Sequence, residues 1–317
     1  MTPQDLLLTC AFDAVIGDPA ACPHPVRLMG TVIQWSEQQV RRIATEPLSL
    51  RRAGAALAVG LPLIAAGVGW ILIACVALLD PWAGWLVSIV LGASTLAWRD
   101  LIDHVNRVDE ALVQGMLPRA RTAVAMIVGR DTDCMSEQEV VRATVETIAE
   151  SASDGIIAPL FYLALGGPPL ALAYKAVNTL DSMIGHQDTR YRDLGWASAR
   201  LDDCVNWIPA RATAWLVVLA AGVLTGSSTT MRRSATTLMR DGAKHPSPNS
   251  GRPEAAMAGA LRVQLGGVNQ YGGISQERPH MGESCHGLMV SHIAIARTIV
   301  TTAYLLAVVG AAGWLWW

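Results

Sequence analysis

Residues 53–79 read AGAALAVGLPLIAAGVGWILIACVALL, 27 positions without one charged side chain. A helix needs about 20 apolar residues to cross the hydrocarbon core of a bilayer. This run therefore predicts a membrane span with length to spare. Asp80-Pro81 ends it, and residues 81–98 then form a second uncharged run, PWAGWLVSIVLGASTLAW, closed by Arg99. The two read as a helical hairpin with a tight acidic turn. Arg41, Arg42, Arg51 and Arg52 precede the hairpin and Arg99 follows it. Basic residues stay on the cytoplasmic side, so both outer ends are expected there and Asp80 outside.

Composition agrees. Of 317 residues, 52% are hydrophobic and only 16% charged, against about a quarter charged in soluble domains. Mean hydropathy is +0.34. Too few charges are present to clothe a soluble core of this size. A net charge of −2 offers no basic surface for nucleic acid. Six scattered cysteines, with no C-x-x-C, imply neither a disulfide framework nor a zinc site. The opening MTPQDLLLTCAFDAVIGDPA carries Asp5 and Asp13 and no basic n-region, so it does not read as a cleaved signal peptide.

Three further apolar runs are expected to lie in the membrane: 155–174, 212–231 and 298–317. The first is interrupted by Gly166-Gly167-Pro168-Pro169 and reads as two short helices or a re-entrant hairpin. The last ends in Trp314, Trp316 and Trp317, suited to an interfacial aromatic anchor. Basic residues flank 212–231 on both sides: Arg190, Arg192, Arg200 and Arg211 before it, Arg232, Arg233, Arg240 and Lys244 after. Either that run does not cross fully or the charge rule fails there. The fold class is thus all-α, a polytopic membrane helical bundle formed as a single membrane-embedded domain over 1–317. Cytosol-facing helical and loop segments are expected to gather the polar residues into one cavity.

Those polar residues fall in three stretches. In the first, Ser136 and Glu139 have capping-box spacing and start a helix. On it Arg142, Glu146 and Glu150 recur every four residues, with Asp154 next in the series. The face reads either as solvated surface with an i,i+4 ion pair or as an acid site running into the apolar stretch from Gly155, where unpaired acids are costly. In the second, Asp181, Asp188, Asp193, Asp202 and Asp203 alternate with arginines. One or two carboxylates with water and phosphate oxygens suffice for Mg²⁺, but a network of structural ion pairs would look the same. In the third, Asp241 to Pro253 is a Pro- and Gly-rich turn before a helix of small residues from Glu254. Lys244, His245, Ser247 and Asn249 would converge there near a helix N-terminus, a natural anion site. Gly129-Arg130-Asp131-Thr132 suits phosphate by a flexible Gly, an arginine fork and a hydroxyl. His104 and His292 read as satisfied structural residues. No Walker loop, G-x-G-x-x-G, H-E-x-x-H or G-x-S-x-G is present.

GDP…HPVR at 17–27, VGRDT at 128–132, ETIAESASDGIIAPLFY at 146–162 and KAVNTLDSMIGH at 175–186 together resemble one family. So do YRDLGWASARLDDCVNWIPAR at 191–211 and KHPSPNSGRPEAAMAGAL at 244–261. The chain is similar, over nearly its whole length and in the same order, to the adenosylcobinamide-phosphate synthase (CobD/CbiB) family of cobalamin biosynthesis. Ser151 and His186 depart from the usual pattern, and neither departure removes an acid.

The resemblance implies an enzyme of the bacterial inner membrane with a cytoplasmic site. Such an enzyme uses ATP and Mg²⁺ to join (R)-1-amino-2-propanol O-phosphate, or a related amino-alcohol phosphate, to adenosylcobyric acid. On that reading Asp181, Asp202, Glu150 and Asp154 are the Mg²⁺ candidates. Arg130, Lys244, His245 and Asn249 are the phosphate candidates, and Glu146 or His245 takes the amine's proton. The partners are the corrinoid, the amine donor and the lipid bilayer, and a homo-oligomer is allowed. Two alternatives are a membrane sensor of the AmpE type, which should lack the dense acid and Lys loops, and a transporter, which should show paired broken halves.

Overall fold

The computed structural model describes residues 1–18, 24–186 and 188–317. In chain order the helices are α1 (Pro3–Ile16), α2 (Pro25–Ile43), α3 (Pro47–Leu79), α4 (Pro81–Ala93), α5 (Trp98–Val113), α6 (Leu117–Ala125), α7 (Glu137–Ser151), α8 (Ala158–Ile184), α9 (Trp196–Val205), α10 (Trp207–Thr225), α11 (Ser228–Asp241) and α12 (Gly251–Leu261). Strands β1 (Gln264–Tyr271) and β2 (Ile274–Gly282) follow, then α13 (Ser291–Trp316). A π-helical turn, Ala152–Ile157, joins α7 to α8. The part of the GDP…HPVR motif at 19–23 lies outside the described residues.

Among the described residues five helical segments are long and apolar enough to cross a membrane: Pro47–Leu79, Pro81–Val113, Glu137–Ile184, Trp207–Thr225 and Ser291–Trp316. The chain is an all-α polytopic membrane protein carrying, among the described residues, one two-stranded hairpin. The expected spans shift at their ends for local reasons. The first helix starts back at Pro47, where proline sits at the first helical position and costs no hydrogen bond. The run predicted to end at Trp98 breaks at Ala93 and restarts at Trp98. The run 212–231 is corrected to 207–225: Gly226, at φ 58°, stops the helix, and the Ser227 hydroxyl accepts from the Thr230 N–H to cap the next one. Residues 155–174 belong to one long segment, kinked where Gly166 and Gly167 leave helical geometry.

The chain folds as two compact units. The first comprises residues 1–97, 158–206 and 308–317. Its core gathers Met29 and Ile33 of α2, Leu61 of α3, Leu172, Ala176, Leu180 and Ile184 of α8, and Leu194. Glycines let α3 approach its neighbours, as small residues do in membrane bundles. A Cβ on Gly54 would lie 1.9 Å from the Leu194 carbonyl oxygen, and one on Gly69 2.6 Å from the Leu172 side chain. Within the α3–α4 hairpin the Asp80 carboxylate caps α4, accepting from the Trp82 and Ala83 N–H groups at 2.7 and 3.0 Å.

The second unit comprises 98–157 and 207–307. Ser136 and Glu139 form the expected capping box at the start of α7. The inner face of α7, with Val140, Val141, Val145 and Ile148, is buried. Helix α12, built from Ala255, Ala256, Ala258 and Gly259, packs so closely on α11 that a Cβ on Gly259 would meet Thr237 at 2.7 Å. The β1–β2 hairpin turns at Gly272-Gly273, both at positive φ, the conformation a tight two-residue turn requires. A bulge between Leu265 and Gly267 bends β1.

Candidate active-site clusters

Asp181 and Asp202 lie in the first unit, and the other seven candidates lie in the second. In the first, Asp202 is buried on α9 while the adjacent Asp203 is only partly so. Burial, and then the Asp181 carboxylate on α8, push the Asp202 carboxyl up to about 7. Its Oδ1 is buried and has no hydrogen-bond partner. Below it the Tyr174 hydroxyl donates to Asn206 Oδ1 at 2.9 Å. Side-chain hydrogen bonds from Asn206 and Asn178 oppose the rise at Asp202, and two adjacent acids with one unpartnered oxygen fit a divalent cation, which would relieve the repulsion. No group of three or more His, Cys, Asp or Glu side chains with metal-binding geometry occurs among the described residues. A pair is nonetheless what Mg²⁺ uses beside phosphate oxygens.

The second unit holds a denser cluster, built on α7 and the bulge of β1. Glu146 accepts from Arg130 Nη2 at 2.8 Å and from the Gly266 backbone N–H at 2.7 Å. Arg130 also donates to Asn269 Oδ1 at 2.8 Å. Both side chains of the ion pair are buried, 9% and 7% exposed. The i,i+4 pair between Arg142 and Glu146 does not form. Arg142 instead donates to the carbonyls of Gly266 and Val268, the latter at 2.7 Å, and to Asn269 at 3.0 Å. The VGRDT motif is thereby fastened to the hairpin, and Asp131 completes the join by accepting from Gly272 and Gly273 at 3.1 and 2.7 Å.

One turn along α7, Glu150 accepts from the Ser250 hydroxyl at 3.1 Å. Asp154 falls in the π-helical turn, where the wider helix interrupts the four-residue repeat. The loop before α12 folds on itself: Ser247 Oγ accepts from the Asn249 and Ser250 N–H groups at 3.3 and 3.2 Å. His245 is buried between two donors. The Ser247 N–H faces Nδ1 at 3.0 Å and Arg278 Nη1 faces Nε2 at 2.7 Å. Burial, and then the Arg278 charge, push its pKa down to about 4. Lys244 is half exposed and pairs with Asp241 at 2.7 Å. Burial opposes ionisation of Asp241, but bonds from Arg240 and Lys244 hold its carboxyl well below the usual carboxylate range. Asn249 is buried.

Sequence reasoning missed three members. Glu254 on α12 is fully enclosed, and burial, then Glu150 and Glu146, push its carboxyl well above the ordinary range. Arg278 of β2 reaches His245 and the Tyr271 hydroxyl, the latter at 3.1 Å. Asn269 of β1 is buried and bonds both Arg130 and Arg142. The Tyr271-Gly272-Gly273 turn between alternating strands was the available signal for the hairpin that carries two of them. His104 and His292 are satisfied locally, as expected: His104 Nδ1 lies 2.9 Å from the Asp100 carbonyl oxygen, and His292 Nδ1 accepts from the Met289 N–H at 2.9 Å.

The model of the CobD/Cbib protein family matches residues 6–300. The chain belongs to the CobD/CbiB family. Among its relatives, a protein named cobalamin biosynthesis protein CobD from Geobacter metallireducens is 49% identical over 88% of this chain and 86% of its own. The protein of the same name from Klebsiella pneumoniae is 42% identical over 96% and 95%. Cobalamin biosynthesis protein CbiB from Salmonella typhi is 40% identical over 95% and 96%. No solved structure matches. The CobD/CbiB match spans both clusters, since every candidate residue lies between 6 and 300.

Proposed function

We propose that the chain acts in cobalamin biosynthesis as an acid–amine ligase. It would use ATP and Mg²⁺ to join 1-amino-2-propanol O-phosphate, or a related amino-alcohol phosphate, to a propionate carboxylate of adenosylcobyric acid, giving adenosylcobinamide phosphate. The observation that carries this is the 40–49% identity, over most of both chains, to proteins named for cobalamin biosynthesis. The chemistry follows from the bond to be made. An amine cannot displace oxide from a carboxylate. The substrate carboxylate oxygen therefore attacks the γ-phosphorus of ATP, the bond to the β-phosphate oxygen breaks, and ADP leaves. The amine nitrogen then attacks the acyl phosphate carbonyl, phosphate leaves, and the nitrogen gives up a proton.

Asp181 and Asp202 are the pair we assign to Mg²⁺, with Glu150 and Asp154 as the other candidates. The ion would neutralise phosphate oxygens as charge shifts onto them. Lys244 is a half-exposed ammonium on a flexible stem, free to trade Asp241 for a phosphate oxygen. Asn249 adds a donor from the same loop. Arg130 has both terminal nitrogens engaged, so its role toward phosphate is its charge and the placement of Glu146. Of the two candidates for the amine's proton, Glu146 fits better. Each Glu146 oxygen, though engaged by Arg130 or Gly266, keeps a second lone pair for the amine, whereas His245 meets donors at both ring nitrogens and has no lone pair left to offer. ATP is a cytosolic cosubstrate, so the reading places the site on the cytosolic side of the inner membrane.

The test is purified protein in lipid nanodiscs given ATP, Mg²⁺, amino-alcohol phosphate and adenosylcobyric acid. A product with the summed mass less one water, and one ADP per product, supports ligation. Bound corrinoid without product or ADP rejects it in favour of a sensor or carrier.

A further inference from the structure

Beyond the ligase reading, a second basic site lies in the same unit, lined by none of the residues assigned above. A cavity of about 250 Å³ is bounded by α11, α12 and the segment after β2. Four arginines line it: Arg232, Arg233, Arg240 and Arg262. The only carboxylate in its lining among the described residues, Glu283, is paired with Arg240. Arg240 is further matched by Asp241 at 2.8 Å. Arg233 donates to the Gly259 and Ala260 carbonyls at 2.8 and 3.2 Å, bonds that fix its guanidinium but leave its charge unmatched. Burial, and then the Arg262 charge, hold its pKa below the ordinary value.

Arg262 adds an independent sign. It is the one non-glycine residue at positive φ among the described residues, at φ 61° and ψ 37°. That position ends α12, where glycine is the usual occupant. An arginine kept there against backbone preference points to a use for its side chain.

The location narrows the ligand. Helix α11 begins three residues after the spanning helix α10 ends at Thr225. The Gly226–Ser227 turn brings α11 back against the span, since a Cβ on Gly222 would lie 3.0 Å from the Met231 side chain, and Arg232 is the next residue. The same helix exposes Met231 and Met239. Apolar side chains and arginines together on a helix next to a span are the composition of a bilayer interface.

We propose that this cavity binds a phosphate group, supplied by the headgroup of an anionic phospholipid, through Arg232, Arg233 and Arg262. The test uses the full chain in nanodiscs of phosphatidylcholine with or without phosphatidylglycerol, with lipid retention read by native mass spectrometry. Wild type should retain phosphatidylglycerol over phosphatidylcholine. In the double variant Arg232→Gln, Arg262→Gly that preference should fall roughly tenfold or more. Arg262→Gly relieves the left-handed backbone, so an unchanged or raised melting temperature excludes a folding defect. A second arm adds inorganic phosphate at millimolar concentration. Phosphate binding that the double variant loses, together with equal retention of both lipids by wild type, would overturn the lipid source and leave a soluble phosphate compound as the ligand. Equal retention of both lipids without phosphate binding, or retention that the double variant does not change, would overturn the site.

Discussion

Arg130→Met offers the sharpest energetic test of the cluster on α7. The variant keeps the volume of the stem and removes the charge from a pair whose partner, Glu146, is buried at 5% exposure. Removing one member of a buried ion pair typically costs about 3–5 kcal/mol, because the other charge is left uncompensated. Two local facts set the value here. Glu146 keeps the Gly266 N–H at 2.7 Å, which favours the low end of that range. Arg130 also loses its bond to Asn269, worth about 1 kcal/mol. The expected loss is about 4 kcal/mol, or roughly 10 °C in melting temperature for a unit of this size. Thermal unfolding in detergent, followed by far-UV circular dichroism, reads it. Arg130→Met, Glu146→Gln should recover to within about 1–2 kcal/mol of wild type, since no charge is then stranded and glutamine can still accept from Gly266. Product formation should stay abolished in the double variant if Glu146 takes the amine's proton. A single variant melting within 2 °C of wild type, or a double variant no more stable than the single, would refute the reasoning.

Three other outcomes follow. His245, with its pKa at about 4 in the fold against about 6.5 unfolded, contributes stability that is fully present above pH 6.5 and lost as pH falls toward 4. Wild type should lose roughly 3 kcal/mol more across that window than His245→Gln, measured as the difference in denaturant midpoints; parallel pH curves would disprove it. Millimolar Mg²⁺ should stabilise wild type, by about 2.7 kcal/mol at a hundred times the dissociation constant, read as a raised melting temperature. Asp202→Asn and Asp181→Asn should each remove that gain, and an unchanged Mg²⁺ response in both would take the ion elsewhere. Gly266→Ala places a Cβ 2.2 Å from the Pro279 carbonyl oxygen at φ +85°. It should displace the N–H that holds Glu146 and lower kcat more than substrate binding, whereas a loss in KM alone would assign the bulge to binding.

The membrane helices were legible because burial in lipid is written as the absence of charge, and 53–79 and 298–317 needed nothing more. Their ends were less legible. The uncharged letters continue past Ala93 and Thr225, but the Ser94 and Thr95 hydroxyls donate back to carbonyls of the last turn of α4, and the left-handed Gly226 stops α10. The Ser136 capping box was readable since its partners are three residues apart. The partner of Glu146 was not: spacing along α7 offers Arg142, while the fold delivers Arg130 from 16 residues upstream and turns Arg142 to the hairpin. Lys244 and His245 stood out by composition. Glu254 and Arg278 acquire meaning only when α12 and β2 bring them beside Glu150 and His245, contacts that no local pattern encodes.

The central claim is that ATP activates the corrinoid carboxylate before the amine attacks. Adenosylcobyric acid carrying ¹⁸O in the reacting carboxylate tests it directly, with the released phosphate analysed by mass spectrometry. The account predicts one ¹⁸O atom in inorganic phosphate for every amide formed. Unlabelled phosphate alongside labelled water, or amide formed without ATP cleavage, would contradict it.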